Sequence, residues 1–384
     1  MKAPVTEDRP EADRIDGAPH PRDTGVLHGH GAAEQTFLEA FNSGRLHHAW
    51  LITGPEGVGK ATLAWKIARF LLAAPLTGDD LLPGGTDAPA AADSLDLPAD
   101  HPIARRVRAL SEPRLFLLRR PYDDKAKRLK QDITVDAARG MKGFFTMSAV
   151  EGGRRVVIVD SADELNTSAA NAVLKLLEEP PKNAVLLLIS HQPSRLLPTI
   201  RSRCRTLRCG PLAPADLARA VEQAGLDAPD EDGALAALAA GSVGAAISLM
   251  HEDGVKLYAD LLTLFDGLPQ MDRSRAIKLA DSCAGRGAEA RCDLTLALID
   301  LFLARLARTG VAGPPSPEAG PNEAALMLRL CPDSGSARHW AVLHDELGTR
   351  ARHGRAVNLD PAALILDTLM RINGAAAART VSQP

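Results

Sequence analysis

Short apolar runs alternate with amphipathic stretches in the first half of the chain. Apolar residues spaced three or four positions apart predict helices at 36–41, after Lys60, at 132–145 and at 166–179, where Pro180 stops the last one. Four aliphatic runs predict buried strands, at 49–53, 114–119, 156–160 and 184–190. Buried strands that alternate with helices predict an α/β fold with a parallel sheet covered on both faces.

The pattern changes near Cys209, after which the sequence keeps helical spacing and has no further strand-like run. Short helices are predicted at 215–224, 233–240 and 244–250, and longer amphipathic helices from about residue 258. Residues 75–101 are rich in Gly, Pro, Asp and Ala and indicate a loop or an insertion. The predicted organisation is a disordered polar tail at 1–22, an α/β domain at 23–209, a small helical domain at 210–257, an all-α domain at 258–375 and a tail at 376–384.

Composition narrows the class of protein without identifying a function. Hydrophobic residues make up 45% of the 384 positions, and the formal net charge of −3 gives no general sign of nucleic-acid binding. No run of about 20 apolar residues predicts a membrane span, and the polar N-terminus has no signal segment, so we expect a cytoplasmic protein. The five cysteines form no CxxC pair, so neither a disulfide framework nor a zinc site is expected.

A glycine-rich loop lies between the first predicted strand and a helix. Residues 54–60, GPEGVGK, have the spacing of a phosphate-binding P-loop, whose backbone cradles phosphates while its lysine, here Lys60, neutralises them. The next residue is Ala61, where a magnesium-binding Ser or Thr would stand. Thr62 carries a hydroxyl one position later, but one step along a helix turns a side chain by about 100°. The loop predicts either a degenerate ATP site or a glycine turn without a ligand. The candidate glycines are Gly54, Gly57 and Gly59.

The predicted strand at 156–160 ends in Asp160, the position of the aspartate that supports the metal site of P-loop ATPases. A helix-capping role is the alternative. The next residue is Ser161, where hydrolysing ATPases carry a glutamate that activates water. Asp163 and Glu164 lie further along, and neither is expected to replace that glutamate, because the role requires hydrogen-bond reach. An ATP site that lacks two working parts is typical of a structural member of an ATP-driven machine.

Two segments of the α/β domain carry basic residues of interest. Arg203, in the run Arg201-Ser202-Arg203-Cys204, follows the last predicted strand, where an arginine can reach a phosphate bound by a neighbouring subunit. An ordinary surface arginine is the alternative. The segment 105–130 holds ten basic and three acidic residues. It indicates either a face for DNA phosphates or a solvated surface, and no interleaved aromatic residues favour a single-strand platform.

Taken together, these motifs resemble the clamp-loader branch of the AAA+ ATPases. The resemblance extends from about Leu27 to Leu212. It is carried by RLHHAWL at 45–51 before the P-loop, by Asp160 and its strand, by NAVLKLLEEPP at 171–181 and by Ser202-Arg203-Cys204. It implies an AAA+ P-loop domain at 23–209, a lid at 210–257 and an oligomerising collar at 258–375.

Within this branch the chain departs from the ATP-hydrolysing gamma/tau subunits. Those subunits normally carry GKT or GKS, an acidic pair at the end of the metal-site strand and a cysteine zinc module. This chain has Gly59-Lys60-Ala61, Asp160-Ser161 and no such cysteines, and residues 75–131 take the place of the module. The resemblance is therefore to a non-hydrolysing, stator-like subunit of bacterial DNA polymerase III, although the missing zinc module is a departure there too.

The resemblance implies partners and roles for single residues. The partners would be the gamma/tau and delta subunits and, through the complex, the sliding clamp and primed DNA. Arg203 would act in trans on ATP held by a neighbouring subunit. ATP would bind, if at all, at a degenerate site made by Gly54, Gly57, Gly59, Lys60, Thr62 and Asp160, with no zinc. The alternatives are an active AAA+ ATPase, either of gamma/tau type or a branch-migration motor, and a P-loop nucleotide-binding regulator.

Overall fold

Five parallel strands form the centre of the first part of the chain. The computed structural model describes residues 10–15, 17–75, 91–146, 152–227, 233–285 and 287–381. They divide into two units, one made of Met1–Gly225 with Gly241–Gly244 and the other of Leu226–Ala240 with Ala245–Pro384. The strands of the first unit are β1 (Ala49–Thr53), β2 (Leu115–Arg119), β5 (Arg155–Asp160), β6 (Ala184–Ser190) and β7 (Arg205–Arg208), with β3 (Tyr122–Asp123) and β4 (Arg128–Leu129) in a separate hairpin.

The sheet has the strand order β2-β5-β6-β1-β7, and each neighbouring pair is parallel. Helices of the first unit are α1 (Gly31–Asn42), α2 (Lys60–Ala73), α3 (Pro102–Arg108), α4 (Val135–Thr146), α5 (Thr167–Glu178), α6 (Pro198–Arg201) and α7 (Pro214–Gln223). On one face Val157 and Leu186 pack with α4 and α5 through Met141 and Val173. On the other, α2 contacts β5 and β6. The predicted α/β fold with a covered parallel sheet is confirmed.

Local sequence explains where these elements begin. The Asn166 side chain accepts a hydrogen bond from the Ala169 amide and so caps α5. Strand β6 is buried along its whole length, which accounts for its continuous apolar run. Strand β7 was not predicted, because it lies at the sheet edge and only Leu207 in it is buried. Helix α3 and the β3–β4 hairpin were also missed.

The second unit is helical throughout its described residues. Its helices are α8 (Ala234–Ala239), α9 (Val243–His251, which begins in the first unit), α10 (Gly254–Asp266), α11 (Arg273–Ser282), α12 (Glu289–Ala312), α13 (Glu323–Leu330), α14 (Ser334–Ala356) and α15 (Pro361–Val381). Phe265 and Phe302 stack in its core with ring centroids 4.5 Å apart. The buried Tyr258 hydroxyl donates to Glu323, which also accepts from Arg305. No helix among the described residues is long and apolar enough to cross a membrane.

The structure differs from the predicted domain limits at three places. The limit at 257/258 falls inside α10, which is continuous because Leu257, Tyr258 and Leu261 bury one helical face. The limit at 375/376 falls inside α15. The predicted helical domain at 210–257 is divided, since α7 belongs to the first unit and α8 to the second.

The predicted disordered tail at 1–22 also differs from the structure over its described part, residues 10–15 and 17–22. Ala18 and His20 are buried, and the side chain of Asp13 is fully covered. Ion pairs to Arg119 hold this segment against the first unit, an interaction that a polar, Pro-rich composition does not indicate.

Candidate functional site

The glycine loop connects β1 to α2 at the carboxyl edge of the sheet, as the P-loop motif predicts. Gly54 has a φ of +152°, and a Cβ atom there would lie 1.9 Å from the carbonyl oxygen of Cys209, so only glycine fits. Gly59 precedes the first turn of α2 with a φ of +104°, in the left-handed region. The backbone shape of the loop therefore depends on its glycines.

Other parts of the first unit brace this loop. The amide of Gly244 donates to the Gly57 carbonyl at 3.0 Å, and the Ser242 hydroxyl donates to the Glu56 carbonyl at 2.9 Å. The imidazole of His30 donates to the Val58 carbonyl at 2.6 Å and is itself buried. Sequence reasoning missed these residues, because none belongs to the motif and Ser242 and Gly244 lie far along the chain.

Lys60 folds back onto the loop. Its ammonium donates to the carbonyl oxygens of Gly54, at 2.8 Å, and Pro55, and only 3% of the residue is exposed. Burial lowers the pKa of Lys60, although nearby Cys209 and carboxylates partly oppose this. Thr62 is half-buried in the first turn of α2. The structure thus places Gly54, Gly57, Gly59, Lys60 and Thr62 in one loop and the helix start that follows it.

Asp160 ends β5 at the same edge of the sheet, opposite Arg119 of β2 in the strand register. Burial raises the pKa of Asp160 to about 7. Asp13 and Glu164 add to the rise, whereas Lys60 and Arg119 oppose it. Lys60, at the start of α2, and Asp160, at the end of β5, both lie at this edge of the sheet.

Three polar side chains follow Asp160, and the two acids among them, Asp163 and Glu164, are bound to other groups. The Ser161 hydroxyl is buried without a hydrogen-bond partner among the described residues. Asp163 accepts from the Ser190 hydroxyl at 2.7 Å and from the backbone amides at 191 and 192, so it fixes the end of β6. Glu164 forms an ion pair with Arg120 at 3.1 Å, and burial raises its pKa. In the described part of the chain, no group of three or more His, Cys, Asp or Glu residues could hold a metal ion.

An N-terminal segment with acidic residues crosses this edge of the sheet. Arg119 forms ion pairs with Asp13 and, at 2.8 Å, with Glu11. Burial acts to raise the pKa of Asp13, but His20 and Arg119 outweigh it, so the pKa lies below its ordinary value. Ile15 lies beside Gly244, the residue that donates to the Gly57 carbonyl: a Cβ atom built on Gly244 would be 2.5 Å from the Cδ1 of Ile15. No sequence signal could have identified this contact, because its acids are isolated in a polar stretch.

Arg203 belongs to a second cluster, formed by the SRC and LLEEPP motifs. Its guanidinium lies 3.0 Å from a carboxylate oxygen of Glu178 and donates to the Thr199 carbonyl at 3.1 Å. The side chain keeps 38% of its surface exposed. Cys204 is half-buried against the sheet core, which fixes the backbone after α6, whereas Arg201 is exposed.

Comparisons with known proteins point to one family. Residues 29–213 match the family model described as "DNA polymerase III, delta subunit". The chain is 39% identical over 213 residues to DNA polymerase III subunit delta' of Pseudomonas aeruginosa, a match that covers 54% of this chain and 57% of that one. It is 32% identical over 225 residues to the Escherichia coli delta' subunit, covering 57% and 59% of the two chains.

A gamma/tau subunit is also similar. The match to DNA polymerase III subunit gamma/tau of Mycobacterium tuberculosis is 30% identical over 204 residues and covers 50% of this chain and 30% of that one. This chain thus spans 57% and 59% of the lengths of the two delta' subunits and 30% of the length of the gamma/tau subunit. Residues 29–213 are thus similar to the DNA polymerase III delta subunit family, and the similarity to the two delta' subunits extends over somewhat more than half of this chain.

Proposed function

We propose that this chain is a non-hydrolysing, delta'-type subunit of a bacterial clamp loader and supplies Arg203 to ATP held by a neighbouring gamma/tau subunit. Its partners are gamma/tau and delta. Through the complex it acts in the cytoplasm on the sliding clamp and primed DNA. Similarity to delta' subunits over residues 29–213 supports this assignment.

The observation that carries the proposal is that the two carboxylates after Asp160, those of Asp163 and Glu164, are already bound to other groups. A general base must reach the attacking water through a free lone pair. Asp163 is occupied by donors at the end of β6, and Glu164 is paired with Arg120. Ser161, at the position of the water-activating residue, offers only a buried hydroxyl. Among the described residues that follow Asp160, none of these three side chains is therefore suited to activate water.

The site suits a nucleotide better than it suits a catalytic magnesium ion. Backbone amides at the start of α2, together with Lys60, are the groups that bind phosphates, provided that Lys60 leaves the loop carbonyls. Magnesium positions phosphates and neutralises charge in phosphoryl transfer. Ala61 offers it no ligand, and Asp160 with a pKa of about 7 is partly protonated at neutral pH. Nucleotide binding without hydrolysis is the expected behaviour.

Arg203 is oriented and still accessible. Glu178 and the Thr199 carbonyl hold its guanidinium from one side, while more than a third of the side chain faces solvent. An arginine in this state can approach a phosphate on an adjacent subunit and stabilise charge that develops in the transition state. Its role is therefore expected to appear in turnover by the complex and not in the assembly of the complex.

The helical second unit supplies surface for association. Val311 on α12 and Val342 on α14 are 76% and 65% exposed. Helices of sibling subunits can cover such exposed aliphatic side chains, as the resemblance to clamp-loader collars implies. We assign the collar function to this unit.

Turnover by the purified full chain tests the proposal, with and without gamma/tau and delta. The chain alone should hydrolyse ATP far more slowly than typical enzymes, which turn over at about 1 per second or faster, and should be pulled down with gamma/tau and delta. An enzyme-like rate in the isolated chain would favour the second candidate, an active ATPase, which the similarity to gamma/tau keeps open. Failure to join the complex would contradict the clamp-loader role itself.

A further inference from the structure

The β3–β4 hairpin carries four exposed basic side chains, and its acid Asp123 attracts Arg128 and Lys130 without forming an ion pair with either within the described residues. Lys125, Lys127, Arg128 and Lys130 are all exposed. Within the described residues, no carboxylate lies within 4.0 Å of their charged atoms. The preceding arginines behave differently, since Arg119 and Arg120 form ion pairs with acidic residues. Residues 122–130 hold four basic and two acidic residues, so the hairpin carries a net positive charge.

The hairpin is ordered by its own backbone and by the acid that it contains. Tyr122 pairs with Leu129, and the Lys130 amide donates to the Pro121 carbonyl at 2.9 Å. The Asp123 carboxylate accepts from the amides of Lys125 and Ala126 at 3.0 and 3.1 Å, so this acid is used to form the turn. The hairpin consequently presents its cations from a fixed support, which lowers the entropy lost on binding.

The hairpin also has a defined position in the fold. It follows directly from β2, so it leaves the sheet at the carboxyl edge, where the glycine loop and Asp160 lie. Its base is joined to the loop after β5 by the Arg120–Glu164 ion pair and by the Ile133 amide, which donates to the Glu164 carbonyl at 2.7 Å. The cations therefore project from the edge of the sheet that carries the candidate nucleotide site.

The side chains at the tip of the hairpin, residues 124–128, indicate which class of partner it can bind. A protein interface usually needs a buried aromatic or aliphatic anchor, and residues 124–128 offer only Ala126 as an apolar side chain. Bases of a single strand would need aromatic platforms, which these positions also lack. Flexible lysines suit a regular array of phosphates that is read without sequence. We infer that the β3–β4 hairpin binds the phosphate backbone of duplex DNA.

The inference predicts how the affinity for DNA should depend on salt concentration. Each phosphate contact on duplex DNA contributes about 0.9 to the slope of log K against log salt concentration, so three lost contacts reduce it by about 2.7. The test uses the full chain and a fluorescein-labelled 20-base-pair DNA duplex of arbitrary sequence, with anisotropy titrations from low to moderate KCl. Lys125→Glu/Lys127→Glu/Lys130→Glu keeps Arg128, which pairs across the hairpin with Asp123.

A matched control carries the same change of charge elsewhere. Lys256→Glu/Arg273→Glu/Lys278→Glu reverses three exposed cations on helices of the second unit. The hairpin triple should lose at least about tenfold in affinity at low salt and show the reduced slope, whereas the control should change much less. A Lys→Gln version of the hairpin triple should also lose affinity, which separates loss of contacts from new repulsion.

Three results would overturn the inference. The first is absence of measurable duplex binding by the unmodified chain at low salt, and the second is an equal loss for the two triples, which would reflect net charge alone. The third is unchanged DNA binding by the hairpin triple together with failure to join gamma/tau and delta, which would make the hairpin a protein contact. Because the isolated chain is used without ATP, the outcome is separate from that of the proposed role of Arg203.

Discussion

Asp160 should make the first unit less stable as pH rises, and Asp160→Asn should remove that dependence. Burial raises the pKa of this carboxyl from an ordinary value of 3.8 to about 7. A raised carboxyl pKa means that the folded state binds more protons than the unfolded chain between these values, so stability is greatest below 3.8 and falls as pH rises towards about 7. At about 1.4 kcal/mol for each tenfold change in acidity, the full loss is about 4 kcal/mol.

The variant keeps the shape of the side chain but cannot ionise. Asp160→Asn should therefore match the unmodified chain at low pH and exceed it by up to about 4 kcal/mol at pH 8. Urea unfolding monitored by tryptophan fluorescence measures this difference. Trp50 and Trp65 are buried in the first unit and Trp340 in the second, so a Trp340→Phe background confines the signal to the first unit.

A control removes the same charge from an exposed position. The side chain of Asp136 on α4 is 83% exposed and, among the described residues, pairs with Arg139, its neighbour one turn away. Asp136→Asn should change the free energy of unfolding by less than about 1 kcal/mol at any pH. A raised pKa of Asp160 would be contradicted if Asp160→Asn gave the same difference at pH 5 and pH 8, or if the variant destabilised the first unit at pH 8.

Three further variants test the ion pair that holds the N-terminal segment, the lysine of the glycine loop, and the acid beside Arg203. Arg119→Ala leaves the covered Asp13 carboxylate without its strongest cation and should speed amide hydrogen exchange in residues 10–20; unchanged exchange would show that the ion pair does not hold the segment. Lys60→Ala should weaken binding of a fluorescent ATP analogue at least about tenfold, and equal binding by both proteins would remove the glycine loop from the account. Glu178→Ala should lower the ATPase of the reconstituted complex less than Arg203→Ala does, because Glu178 only orients that guanidinium; a larger loss would give Glu178 a direct role.

The strands at the centre of the sheet could be predicted because the signal for each strand lies within its own sequence. Strands β1, β5 and β6 are buried on both faces, so their sequences are continuous apolar runs that differ from everything around them. Strand β7 is an edge strand with one buried residue, and its pairing with β1 depends on a partner about 150 residues away. The glycine loop was likewise predictable from spacing, whereas its bracing by Ser242 and Gly244 was not.

The N-terminal segment shows a second limit of local patterns. Glu11 and Asp13 are ordinary acids in a polar stretch, and their order comes from Arg119, more than a hundred residues later. The predicted limit at 257/258 lies inside helix α10 for a related reason. Helix α10 is continuous across residue 258 because Leu257, Tyr258 and Leu261 are buried, and that burial depends on packing within the second unit.

We propose that Arg203 acts on ATP held by a neighbouring subunit while its own chain does not hydrolyse ATP. The most direct measurement is the DNA- and clamp-stimulated ATPase of the complex reconstituted with gamma/tau and delta, carrying either Arg203→Ala or the control Arg201→Ala in this chain, after size-exclusion chromatography shows intact assemblies. We expect Arg203→Ala to reduce turnover severalfold or more with assembly unchanged, Arg203→Lys to restore little, and Arg201→Ala to have no effect. Equal losses for Arg201→Ala and Arg203→Ala, or full activity of an intact Arg203→Ala complex, would contradict the role in trans.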